Sequence, residues 1–312
     1  MANDKGAGMG AWQRLWDHDL AWSFRRSPVA IVAAALTLAG LLGALLAPWI
    51  APHNPYDLAS LNLGDAFKPP AWTAEGMATY PLGTDDQGRD VLSTILHGAR
   101  ISLLVSVSAT LIAVLAGVML GLLSGYIGGA FDAFVMRLVD VQLSFPAILI
   151  ALLVDGVARA MLPPDAHGGA LALLVLILAI AFSDWVQFAR TVRGSTLVEK
   201  NREYVQAARV IGRHPLAIML RHVLPNVMGP VLVIATIRFG LAIITEATLS
   251  FLGVGVPPTT PSLGTLIRVG NDFLFSGEWW VTVFPGLALV VLVLSVTLLG
   301  DWLRDALNPK LR

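Results

Sequence analysis

EYVQAARVIGRHPLAIMLRHVLP, running from Glu203 to Pro225, is a basic, amphipathic helix–turn–helix set between two long apolar runs. Read with helical periodicity, Tyr204, Val205, Ala207, Ala208 and Ile211 form one face, and Arg202, Gln206, Arg209 and Arg213 form another. Gly212 supplies a C-terminal stop, and Pro215 starts a second helix after His214 that ends at Pro225. Small Ala207 and Ala208 at the centre of the apolar face let a partner come close. A compact polar element between two apolar runs implies contact with something outside the lipid.

Working outward, composition gives the solvent. Apolar residues make up 56% of the 312 and charged residues 13%, about half the charged share of soluble domains. A span needs ~20 mostly apolar residues, and six stretches qualify: 29–50, 101–123, 134–154, 169–189, 228–252 and 281–300. The first is too long for a secretory signal and lacks a small-x-small cleavage site before Pro48 and Trp49, so it reads as an anchor. With both termini inside, fourteen of the 21 basic residues fall in cytoplasmic segments and five outside. Basic residues are retained on the cytoplasmic side, which puts the helix–turn–helix there. The fold class is therefore an all-α polytopic membrane protein with six transmembrane helices and both termini cytoplasmic. Its divisions are a cytoplasmic segment 1–28, the anchor 29–50, an extracytoplasmic segment 51–98, a five-helix core 99–303 containing a cytoplasmic loop 190–227, and a tail 304–312. A net charge of zero gives no reason to expect nucleic acid. With no cysteine, disulfides and thiol chemistry are excluded.

Several segments carry a family likeness. Gln206, Ala207, Ala208, Gly212, His222, Leu224 and Pro225 fit the spacing of the cytoplasmic EAA loop, which this chain resembles, of ATP-binding-cassette importer permeases. Gln206 stands where that pattern has an acid, and an amide cannot make the charge-assisted bond of a carboxylate to a partner arginine. His222 replaces an aliphatic residue, although RHVLPN, Arg221 to Asn226, is similar to the form used by the dipeptide and oligopeptide branch. PLGTDDQGRDVLSTILHGARISL, Pro81 to Leu103, is similar to a second motif of that branch, with Thr94 where a basic residue is common. Arg137–Leu152, Glu246–Ile267 and Phe284–Arg312 extend the resemblance in the same order. The likeness to the "C"-type permease subunit implies that ATPase coupling falls on Glu203, Tyr204, Gln206, Ala207, Ala208, Arg209, Gly212, Arg213, Leu224 and Pro225. It also implies these partners: a sister permease forming a heterodimer, two ATPase subunits, an extracytoplasmic solute-binding protein and the lipid of a bacterial inner membrane. The substrates it implies are dipeptides or oligopeptides, with nickel chelates or glutathione as alternatives.

Read for chemistry, the outer motif places Thr84 or Asp85 as a helix cap, Gly83 and Gly88 as turn residues, and Val91, Leu92, Ile95 and Leu96 as an apolar stripe. That short helix rests on the membrane surface or packs over a transport entrance. Asp85, Arg89 and Asp90 are candidates for an extracytoplasmic gate or a binding-protein contact. No lysine follows a glycine and precedes Ser or Thr, so the chain lacks a phosphate-cradling loop. ATP and Mg would then be bound by partner subunits, with no cofactor or metal in this chain.

Charged residues at membrane depth are expensive and often functional. Arg238 lies well inside the fifth span and Glu246 nearer its outer end. Arg238 pairs with Asp184 or Glu246 for stability, or lies in the substrate path, so Arg238 and Glu246 are candidates for the translocation path. Gly117, Gly121, Gly125 and Gly129 form a ridge for close helix packing or a hinge. Pro146 and Pro285 kink helices or sit in first turns, and Trp279, Trp280 and Trp302 read as interfacial anchors. An ion-coupled carrier would show paired repeats with broken helices, and an intramembrane enzyme would show HExxH or GxSxG; neither sign is present.

Overall fold

The computed structural model describes residues 19–57, 61–161, 169–256 and 260–307. Lys5, Arg14, Lys310 and Arg312, most of the expected segment 1–28 and the end of the tail lie outside those residues. Among the described residues every regular element is helical: α1 (Asp19–Arg26), α2 (Pro28–Leu45), α3 (Val91–Ile127), α4 (Gly129–Leu143), α5 (Ala147–Met161), α6 (Gly169–Glu199), α7 (Glu203–Val210), α8 (Pro215–Phe251), α9 (Leu263–Asn271) and α10 (Trp280–Leu307).

Five helices, α2, α3, α6, α8 and α10, are long and apolar enough to cross a bilayer. The expected third span, 134–154, is instead two helices, α4 and α5, bent by 97° at their junction. Pro146 is the cause: it has no N–H to continue α4, and its ring disfavours helical geometry at Phe145. Its carbonyl then accepts from Leu149 at 3.0 Å, starting α5 in a new direction. Counting the bent pair as one span gives six.

Two other boundaries move. The outer stripe is no separate helix, because Val91 to Ile127 is one helix of 37 residues, about 56 Å long at ~1.5 Å per residue against a hydrocarbon core of ~30 Å. Nor does the helix begun at Pro215 stop at Pro225: it runs on to Phe251. A π turn over Met219–Val223 makes this possible, with the Leu224 N–H reaching back five residues to Met219. The widened turn comes immediately before Pro225, which has no N–H to give and would otherwise crowd the carbonyl four residues earlier.

The core is the contact of α3 with α6. A Cβ on Gly117 would lie 2.4 Å from Phe188 Cβ, on Gly121 2.5 Å from the Ala189 carbonyl, and on Gly125 2.8 Å from Thr196 Cβ. These three form the ridge. Gly129 does not: it has φ +61° in the α3–α4 turn and nothing within 4 Å. Around this centre, Val105, Ala109 and Ala113 of α3, Leu176, Ile180 and Phe188 of α6, and Val227, Val231 and Leu249 of α8 are buried together. Helices α2, α9 and α10 pack on the other side with Ala44, Leu263, Leu292 and Val296.

Candidate functional site

Helix α7 is eight residues long and opens at Arg202, whose carbonyl accepts from Val205 and Gln206. Glu203 in the first turn and Arg209 in the last match the helix dipole. The stop after it is a Schellman motif: Arg213 N–H donates to the Ala208 carbonyl at 3.1 Å and Gly212 N–H to Arg209 at 2.9 Å, with Gly212 at φ +79°.

The expected apolar face divides in two. Val205 and Ala208, three residues apart, are buried in the chain's own core. Ala208 is thus unavailable to a partner. Tyr204, Ala207 and Ile211 point outward with Gln206, Arg209, Gly212 and Arg213, all exposed. Val210 and Ile211 are 89% and 77% exposed, and Leu216 across the turn is exposed as well. The periodicity had not singled out Val210 or Leu216; the signal available was an apolar pair, Val210 and Ile211, directly before a helix-stop glycine.

Two contacts hold α7 to the helices behind it. The Tyr204 hydroxyl donates to the Glu199 carboxylate at the end of α6, and the Arg209 guanidinium sits 5.5 Å from the Tyr126 ring centroid at the end of α3. Local desolvation and the Glu199 carboxylate push the Tyr204 pKa up to about 12, so the phenol stays protonated and continues to donate. Leu224 and Pro225 lie apart from the α7 tip, in the α8 stretch just after the π turn, with Leu224 half-buried and Pro225 exposed.

Behind α7, α4 runs antiparallel to α6 along three polar links. Asp132 receives both Arg193 Nε and Nη2 at 2.6 Å, Asp140 receives Arg190 at 2.5 Å, and Gln142 accepts from Trp185 Nε1 at 3.0 Å. These pairings span 43 to 61 residues of chain, so nothing local in the sequence marks them.

In the turn before α3, Asp85, Arg89 and Asp90 are buried to 5% exposure or less. Asp85 Oδ1 accepts from the Gln87 and Arg89 N–H groups, and its Oδ2 lies 2.6 Å from Arg89 Nε. Asp90, not Thr84 or Asp85, caps the helix, accepting from Ser93 N–H at 2.9 Å. The three residues shape a turn and present little surface to any partner. Thr84 has another role: its carbonyl accepts from Trp280 Nε1 at 3.0 Å. Trp280 is therefore a buried strut rather than an interfacial anchor. Next to this turn, burial first and the charge of Asp85 second push the Asp86 carboxyl above the usual range.

Within the spans, Arg238 of α8 reaches Asp184 of α6 at 3.3 Å, each partly accessible. Glu246 takes no part in that pair. It is fully buried and accepts from Ser250 at 2.7 Å, with Ser102 and Ser262 against it. Among the described residues no group of three His, Asp or Glu could hold a metal ion.

Comparison with known proteins follows from this geometry. The model of the "binding-protein-dependent transport system inner membrane component" matches residues 117–312. That of the "N-terminal TM domain of oligopeptide transport permease C" matches residues 10–70. A dipeptide transport system permease protein of Escherichia coli is 42% identical over 301 residues, 96% of this chain and 93% of that one. A di/tripeptide transport system permease protein of Pseudomonas aeruginosa is 39% identical over 93% of this chain and 91% of its own length. A glutathione transport system permease protein of Shigella flexneri is 39% identical over 96% and 91%. Among solved structures, a chain of the methionine ABC transporter in inward-facing conformations superposes with a TM-score of 0.53 at 19% identity, over 69% of this chain and 96% of that chain. That likeness concerns the fold alone.

Proposed function

The chain belongs to the binding-protein-dependent inner-membrane components of ABC importers, and from that premise we propose that it carries dipeptides or short oligopeptides inward, driven through α7 by separate ATPase subunits. The observation that carries this reading is the tip of α7: Ala207, Val210 and Ile211 are exposed on an element whose other face is packed into the core. Exposed aliphatic residues clustered beside Arg209 and Arg213 mark a protein contact. Because the buried Val205 and Ala208 and the Tyr204 and Arg209 contacts hold α7 against the helices behind it, a push on the tip would move those helices as one body.

The partners in this reading are two ATPase subunits that bind ATP and Mg, a sister permease completing the path, and an extracytoplasmic binding protein that delivers substrate. Both termini and α7 then lie in the cytoplasm, in keeping with the basic residues of 190–227. The peptide assignment is supported by relatives named for dipeptides and di/tripeptides at 39–42% identity. A relative named for glutathione at 39% identity supports a second reading, a tripeptide-like thiol. Arg238 and Asp184 are proposed to flank the path in either case.

The test is uptake by vesicles containing all the subunits. Ala207→Glu places a charge on an exposed site, so the fold is kept, while uptake falls at least tenfold and ATP hydrolysis continues. The same loss is expected for Val210→Glu. Wild-type uptake in both variants refutes the docking assignment.

A further inference from the structure

Helix α2 packs on the edge of the molecule against α10, and between the two lies an apolar groove with a volume of about 430 Å³. Pro28, Val29, Val32 and Leu36 of α2 and Leu294 and Leu298 of α10 line it. A second apolar pocket of about 370 Å³ shares Leu36 and Val291 with it and continues toward the outer end. From Pro28 to Leu36 the groove runs ~12 Å at helical rise, close to the depth of one leaflet of a hydrocarbon core ~30 Å thick.

The mouth of the groove is built from α1 and the last turns of α10. Phe24 stacks edge-on to Trp302 with centroids 5.0 Å apart, fastening the two helices together. Immediately beside Phe24 are exposed Arg25 and Arg26, with the Arg26 guanidinium 4.1 Å above the Trp22 ring. The groove stripe of α10 at 291, 294, 295 and 298 continues by helical spacing to Asp301, Trp302 and Asp305, and both aspartates are exposed. Trp302 Nε1 is shielded from solvent and has no acceptor among the described residues. Buried indole N–H groups ordinarily find one.

A slot one leaflet deep whose mouth carries cations on one wall and anions on the other matches one kind of occupant. We propose that the α2–α10 groove is a binding site for a phosphoethanolamine lipid. One acyl chain fills the groove, the phosphate lies against Arg26, and the primary ammonium faces Asp301 and Asp305. Opposed charge pairs favour a zwitterionic headgroup over an anionic one, and the carboxylate acceptors favour a primary ammonium, which has N–H groups to donate, over a quaternary one. The site does not depend on the coupling role of α7.

The full chain is purified in detergent, exposed to an equimolar mixture of phosphatidylethanolamine, phosphatidylcholine and phosphatidylglycerol, and weighed intact by native mass spectrometry. The expected result is a one-lipid adduct in which phosphatidylethanolamine exceeds each of the others at least fivefold. Val32→Trp, which fills the slot, and Arg26→Gln, on the surface, each lower the adduct at least fivefold. Asp301→Asn with Asp305→Asn keeps the adduct and removes the headgroup preference. Leu38→Trp, on an exposed side of α2 outside the groove, changes nothing. Should Val32→Trp fail to fold, the surface variants carry the test. An adduct that mirrors the bulk mixture, or one unchanged in Arg26→Gln and the double aspartate variant, overturns the proposal.

Discussion

Gly117→Ala and Gly194→Ala are the same substitution in interior turns of two helices that touch, yet they should act with opposite sign. In an open helix interior the change stabilises by up to ~1 kcal/mol, because alanine has the better helix propensity. Gly194 of α6 has nothing within 4 Å of its would-be Cβ, so that gain should appear in full. At Gly117 the new carbon would stand 2.4 Å from Phe188 Cβ and 2.6 Å from the Trp185 carbonyl, where ordinary contact begins at 3.4 Å. One of these neighbours is backbone and the other sits next to backbone, so no rotamer change relieves the clash. Helices α3 and α6 must separate locally by about 1 Å, and overpacking of this sort costs ~1–3 kcal/mol. With the propensity gain set against the upper end of that cost, Gly117→Ala should destabilise by about 2 kcal/mol, leaving the two variants ~3 kcal/mol apart. Adding Gly121→Ala, whose carbon would lie 2.5 Å from the Ala189 carbonyl, should cost less than it does alone, because helices already spread at 117 are partly spread at 121. Thermal unfolding followed by tryptophan fluorescence in one detergent reads the wild type and the four variants. If Gly117→Ala is as stable as wild type, or if it moves in the same direction as Gly194→Ala, the close approach of α3 and α6 is wrong.

Replacing Asp184 by Asn or Arg238 by Gln leaves one charge unpaired at membrane depth, and each should destabilise by roughly 2–4 kcal/mol. The double variant should cost clearly less than the two losses together, and strict additivity in the cycle would show that the 3.3 Å contact carries no energy. Asp90→Ala removes the N-cap of α3 and should cost ~1–2 kcal/mol, with Asp90→Asn or Asp90→Ser recovering most of it; a loss equal in all three would point away from capping. Because the fold raises the Asp86 pKa, it favours the neutral carboxyl: the associated stability is present at low pH and is lost as pH rises through the carboxylate range. Asp86→Asn should therefore be more stable than wild type at pH 7, with the gap closing at acid pH. A gap that widens on acidification would reverse the assigned sign.

What the sequence made legible was whatever repeats along one helix. Apolar length located the five long spans, glycines at intervals of four located the α3 ridge, and the Gly212 stop was readable because an αL residue after an amphipathic turn is a local event. What escaped was set by partners distant in the chain. The division of the α7 apolar face depended on the core that Val205 and Ala208 meet, which helical periodicity cannot specify. Asp85 and Arg89 read as candidates for a gate or a binding-protein contact, whereas the closed turn buries them, and the antiparallel pairing of α4 with α6 joins residues up to 61 positions apart. Pro146 was visible as a kink, but a bend of 97° rather than a shallow one depends on how α5 packs.

The course of the chain after α7 bears on how a push at its tip could reach the bilayer. Had the second helix ended at Pro225, motion of α7 would pass into a loop, which yields instead of transmitting. As it is, Pro215 to Phe251 is one continuous helix, about 56 Å long at helical rise, interrupted in its first half by the π turn, Pro225 and Pro230. A π turn interrupts the regular ladder of backbone hydrogen bonds and is a place where a helix can adjust. Displacement of α7 would therefore travel rigidly along α6, which is clamped to α3 by glycines and to α4 by ion pairs. Along α8 it would be taken up partly at Met219–Val223. The two helices that α7 joins would thus respond differently, and the Asp184–Arg238 contact, which ties α6 to α8 at membrane depth, is where that difference would be felt. An importer that alternates access needs such a differential, because helices that moved together would leave the path unchanged.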